Sequence, residues 1–78
     1  MFADARNIGE RMVLARYQKR LTSTRVGQRM GVRPDAIRNV ENGVRSPTLE
    51  WIFRYAVAVG VAPSSLDDRL TDRVVKTW

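Results

Sequence analysis

One stretch limits the folding options of this chain more than any other: "RVGQRMGVRPDAIRNVENG", residues 25–43. Val26, Met30, Ile37 and Val40 recur at helical spacing, yet Gly31 separates the two pairs and Pro34 follows three residues later. Glycine freely adopts the left-handed conformation that closes a helix. Proline fits the first position of a helix, where its missing N–H costs nothing. The stretch therefore reads as two short helices joined by a tight turn, a helix-turn-helix, rather than as one broken helix.

The same punctuation organises the rest. Helices are predicted over about 7–19, 22–30, 34–42, 48–59 and 64–75, with no strand and no repeat. In the first, Ile8, Met12 and Ala15, with Leu14 beside them, give an apolar face. Thr22 is placed to cap the second, and Gly31, Gly43 and Gly60 each follow a predicted helix end. The fourth, "TLEWIFRYAVAV", is apolar over much of its surface and is expected to be the central core helix, with Trp51 and Phe53 at the core or its rim. The fifth opens on Ser64-Ser65-Leu66-Asp67, which fits a capping box, and carries Leu66, Leu70 and Val74 at i, i+4, i+8. The fold class expected is an all-α, compact five-helix bundle, one domain over 1–78.

Composition removes whole classes of function. The chain has no cysteine and no histidine. Ser-His-Asp and Cys-His catalysis are therefore impossible, and the usual zinc ligands are missing. No cofactor and no metal are expected. Asp67, Asp68 and Asp72 could pass for a metal cluster, but acids in the first turn of a helix more often serve its dipole. No apolar run approaches the ~20 residues that span a bilayer, and the N-terminus does not read as a signal peptide. A soluble cytoplasmic protein with no membrane contact is expected.

Charge points to a partner. Residues 11–45 hold nine Lys/Arg against Asp35 and Glu41, a net +7, while residues 46–78 balance and residues 1–10 sum to −1. The whole excess surrounds the helix-turn-helix. A basic segment of that kind suits a polyanion. With Ile37 and Val40 turned inward, Arg33, Pro34, Asp35, Arg38 and Asn39 face outward at the start of the second helix. Arginine can take guanine O6 and N7 together, asparagine can pair with adenine, and aspartate can accept from cytosine N4. Arg33 suits a base or a phosphate equally. Thr22 and Ser23 stand at a helix N-terminus, where backbone N–H groups bind anions.

At this point the sequence resembles a family. "LTSTRVGQRMGVRPDAIRNVENGVRSPTLEWIFRYAVAVGV" is similar to the Cro/lambda-repressor-like (XRE) helix-turn-helix proteins over about residues 8–66. The resemblance rests on "LT" before the second helix, "MGV" at the turn, "I..VE.G" in the third, and "SPTLE" and "GV" around the fourth. It implies sequence-specific binding of double-stranded DNA, usually as a dimer and usually in repression. It implies base contact by Arg33, Pro34, Asp35, Arg38 and Asn39, and phosphate contact by Thr22, Ser23, Arg25, Asn42, Val44 and Arg45. It also implies an ion pair between Arg16 and Glu41 that ties the first helix to the third. Several positions depart from the family pattern, among them Val13 and Leu14, which stand where polar residues are common and imply extra apolar surface on the first helix. Ser23 replaces a common glutamine that bridges phosphate and recognition helix, and Pro34 stands where a polar base-reading side chain is usual. Gly27 replaces a usual alanine, at about 1 kcal/mol in helix propensity, which implies a very close approach of the second and third helices.

Two half-sites about one helical turn apart require a two-fold dimer. The candidate contact is the stripe Leu70, Val74, Val75 and Trp78, giving a homodimer that is weak away from DNA. The function expected is a Cro-type phage or bacterial repressor of a palindromic operator. The rivals are an antitoxin or other protein-interaction module on the same fold, and an RNA- or nucleoid-binding protein.

Overall fold

The computed structural model describes residues 5–70. They form four α-helices: α1 Ala5–Gln18, α2 Ser23–Met30, α3 Pro34–Glu41 and α4 Leu49–Val59, followed by a single 3-10 turn at Pro63–Ser65. No strand occurs among the described residues.

The helix ends are written locally. Thr22 and Thr48 both sit in extended backbone ahead of α2 and α4. Their hydroxyls accept the N–H groups of Arg25 at 3.0 Å and Trp51 at 3.1 Å, caps worth about 1 kcal/mol each. Gly31 closes α2 at φ +73° and Gly60 closes α4 at φ +88°. Space beside both is open, so it is the left-handed backbone that calls for glycine there. The end of α1 is made differently. Arg20 takes φ 56° without being glycine, at about 1–2 kcal/mol, while Leu21 N–H donates back to the Arg16 carbonyl at 3.1 Å.

The core gathers one stripe from each helix: Ile8, Met12 and Ala15 from α1, Val26 and Met30 from α2, Ile37 and Val40 from α3, and Ile52, Tyr55, Ala56 and Val59 from α4, with Leu66 beneath. Trp51 and Phe53 are half-buried at its rim, and Trp51 stacks on Tyr55 with ring centroids 5.8 Å apart. Leu14 does not belong to the inner face, being 61% exposed. It lies about 120° round the helix from Ile8, outside the stripe that Ile8, Met12 and Ala15 define.

Two arginines join α2 to α4 by exchange. Arg54 Nη2 donates to the Met30 carbonyl at 2.6 Å and Arg29 Nη1 to the Ala58 carbonyl at 2.8 Å. Each cation meets the negative end of the other helix, where carbonyls lack intrahelical donors.

The predicted fifth helix needs correction. As far as residue 70, the predicted helix over 64–75 is replaced by the 3-10 turn at Pro63–Ser65 and a non-helical stretch after it. The Asp67 carboxylate does not reach back to cap a helix. It accepts the backbone N–H of Arg69 at 2.9 Å and the Arg69 guanidinium at 2.6 Å. Held by Arg69, the buried carboxyl lies below the usual aspartate range. Asp68 meets Arg11 at 3.4 Å. Of the expected stripe, Leu66 is fully buried and Leu70 is partly buried against the protein's own core. Val74, Val75 and Trp78, like Asp72, lie outside the described residues.

Candidate nucleic-acid interface

Helix α3 begins at Pro34 with Arg33 in extended backbone as its N-cap, and Asp35 follows in its first turn. Asp35, Arg38, Asn39 and Asn42 recur at i, i+3, i+4 and i+7 and are all exposed, opposite the buried Ile37, Val40 and Glu41. Arg33 is exposed and Pro34 half-buried. The next loop folds back on the same helix: Val44 and Arg45 both donate N–H groups to the Asn39 carbonyl, at 2.9 and 3.1 Å. That holds two exposed residues, Val44 and Arg45, beside α3. At the start of α2, Thr22 and Arg25 are exposed and Ser23 is half-buried. Because Thr22 already accepts the Arg25 N–H, the Ser23 and Thr24 N–H groups are those left without an intrahelical acceptor.

The two helices are joined at this surface by Arg38. Its Nη1 donates to Ser23 Oγ at 3.3 Å, and its Nη2 donates to Asp35 Oδ1. The expected residues of α2, α3 and the following loop are thus brought together.

The inner side of α3 is anchored by a buried polar network. Arg16 Nε donates to Glu41 Oε2 at 2.7 Å and Arg16 Nη2 to Glu41 Oε1 at 3.0 Å, a two-point pair. Arg16 Nη1 donates to the Leu21 carbonyl at 3.1 Å, and Tyr55 O–H lies 2.6 Å from Glu41 Oε2 and 3.0 Å from the Met12 carbonyl. The network links α1, α3 and α4 and leaves no buried side-chain polar atom unpartnered among the described residues. Burial, and then the hydrogen bond to Glu41, push the Tyr55 hydroxyl far above the ordinary tyrosine range. The hydrogen bonds to Glu41 likewise raise Arg16. The sequence signal for Tyr55 is weak: a tyrosine in the middle of an apolar helix shows only that its hydroxyl needs a partner.

Two glycines set the helix separations. A Cβ on Gly9 would stand 2.3 Å from the Glu41 carbonyl oxygen and 2.9 Å from that of Val40. A Cβ on Gly27 would stand 2.7 Å from the Val32 carbonyl oxygen in the turn leading into α3. The expected closeness at Gly27 is therefore against the turn. Gly9 carries no signal of its own in the sequence, since only the packed partner shows why it lacks a side chain.

The structure also divides the basic residues. Arg11, Arg16 and Arg29 are committed to protein partners, so part of the positive segment serves the fold. Arg25, Arg33 and Arg45 remain exposed around α3. Among the described residues no acids cluster as metal ligands, and no helix is long and apolar enough to cross a membrane.

This arrangement can be compared with known proteins. The helix-turn-helix family pattern matches residues 14–66, which spans α2, the turn, α3 and α4. The fold is similar to the crystal structure of the restriction-modification controller protein C.AhdI from Aeromonas hydrophila. The TM-score is 0.76 at 26% sequence identity, over 80% of this chain and 90% of that one. No curated protein matches by sequence. The turn closed by Gly31, the proline-led α3 with its polar outer face and the matched span agree: the chain belongs to the Cro/lambda-repressor-like (XRE) helix-turn-helix family of DNA-binding transcriptional regulators, and it is not an enzyme.

Proposed function

We propose that this regulator binds a palindromic operator in double-stranded DNA and represses transcription in the manner of Cro. The observation that supports it most is the exposed row Asp35, Arg38, Asn39 and Asn42 on α3, flanked by Thr22, Ser23, Arg25, Val44 and Arg45. In this reading α3 enters the major groove N-terminus first. Arg33, Pro34, Asp35, Arg38 and Asn39 meet base edges, Pro34 by apolar contact alone. Thr22, Ser23, Arg25, Asn42, Val44 and Arg45 meet the phosphates, the last two through the loop after α3. The protein then acts in the bacterial cytoplasm, or in that of a phage's host.

Selection of binding sites from random duplexes tests this. The expected result is a two-fold symmetric site bound about 10³-fold or more tightly than scrambled duplex at ~0.15 M salt. Affinity should fall steeply with salt. Arg38→Ala should cost about 1–3 kcal/mol on the selected site. An antitoxin acting only through protein contacts would show no such ratio. An RNA-binding protein would be competed by duplex RNA, whose deep major groove excludes a recognition helix.

The likeness to C.AhdI favours a second reading, a controller of restriction-modification genes. The selected site decides between the two by where it recurs: upstream of such genes, or in a phage control region.

Dimerisation through Leu70, Val74, Val75 and Trp78 completes the proposal. Deleting residues 74–78 should leave a folded protein that binds a half-site weakly and no longer distinguishes half-site spacings in gel-shift titrations. Unchanged affinity and spacing preference would move the contact elsewhere, with Val44 and Arg45 the next candidates.

A further inference from the structure

Arg38 uses two of its N–H groups inside the protein, on Ser23 Oγ from α2 and on Asp35 Oδ1 one turn earlier in α3. The side chains of both Arg38 and Asp35 are more than half exposed. An ion pair this exposed contributes little to stability. Its consequence lies in what it does to Arg38. A guanidinium has five N–H donors, so with two of them held three remain, enough for a two-point contact with guanine. Without those bonds the same cation is free to pair with phosphates, which carry no sequence information.

We propose that Asp35 is a specificity filter, holding Arg38 back from phosphates and orienting it, with Ser23, toward the groove floor. The inference rests on the DNA-binding reading above. On a wrong sequence Asp35 keeps part of the Arg38 charge engaged and sets its own negative charge against the duplex. On the right one, Arg38 reaches guanine O6 and N7 while Asp35 accepts from a neighbouring cytosine amino group. Such a residue raises discrimination by penalising wrong partners more than by strengthening the right one. Ser23 is the positioning partner: its hydroxyl directs Arg38, while its contact with phosphate runs through the backbone N–H, which alanine keeps.

The experiment compares wild type, Asp35→Asn and Ser23→Ala on the selected site and on a scrambled duplex, by fluorescence anisotropy across a salt series. Asp35→Asn preserves size and removes charge. It should tighten scrambled-duplex binding by about 3- to 10-fold and steepen its salt slope by about one phosphate contact. Discrimination should fall about tenfold, mostly through the scrambled arm. Ser23→Ala should weaken the selected site about threefold and leave the scrambled duplex unchanged, as expected for loss of one exposed hydrogen bond. An unchanged ratio in Asp35→Asn overturns the filter. So does a loss confined to one base pair with scrambled binding unaltered, which makes Asp35 a plain base reader. A wild-type protein that binds both duplexes alike overturns the operator reading and the filter together.

Discussion

Gly9→Ala should lower the melting temperature by about 5–15 °C, the equivalent of about 1–2 kcal/mol for a domain of this size. Two effects oppose each other. Alanine is favoured over glycine inside a helix by about 1 kcal/mol, and Gly9 lies well within α1. Against that, the added Cβ would come within 2.3 Å of the Glu41 carbonyl oxygen. The obstacle is backbone on α3, so no rotamer change relieves it, and α1 and α3 must move apart. Overpacking costs about 1–3 kcal/mol and occasionally more. Here it also strains the Arg16–Glu41 hydrogen bonds that cross the same interface, so the clash wins. A circular-dichroism melt checks it. A melting temperature equal to or above wild type would mean that the two helices do not touch at Gly9.

Arg16→Ala should be the more damaging change, at about 3–5 kcal/mol, because it leaves the buried Glu41 carboxylate with Tyr55 as its remaining side-chain partner. That loss overstates what the pair contributes. Forming it required both charges to leave water, and the attraction returns only part of that cost. The double replacement Arg16→Met with Glu41→Leu should therefore recover most of the lost stability, as measured by urea denaturation. Arg16→Lys should recover little, since an ammonium cannot reproduce the two-point contact with Glu41 Oε1 and Oε2. A double variant as unstable as Arg16→Ala would show the loss to be one of packing rather than of a stranded charge. DNA binding should fall with stability in Arg16→Ala, because α3 loses its anchor to α1.

Several elements were readable because their causes are local. Gly31, Pro34 and Thr22 place the turn and the caps of α2 and α3 through φ preference and one short-range hydrogen bond. The outward row on α3 follows from helical period alone. The Arg16–Glu41 pair came from resemblance to a family, since nothing in spacing joins residues 25 apart. Where local signals misled, a tertiary or side-chain competitor had the stronger claim. Asp67 resembled a helix cap, but Arg69 two residues on takes its carboxylate. Arg29 belongs to the basic segment 11–45, but the end of α4 takes its guanidinium.

Residue order alone thus carries the starts and ends of α1 to α4 to within about two residues, the apolar face of each, and the basic helix-turn-helix at the centre of the chain, but not the end of the fold after Gly60. These depend on backbone conformation and periodicity, which each residue and its near neighbours set. The tertiary structure alone decided how closely α1 approaches α3 at Gly9, what satisfies the Tyr55 hydroxyl, which arginines cap foreign helix ends, and that Arg38 is held between Ser23 and Asp35. Each of these is a contact between atoms brought together by packing, and a contact between distant residues leaves no trace in either one's local pattern.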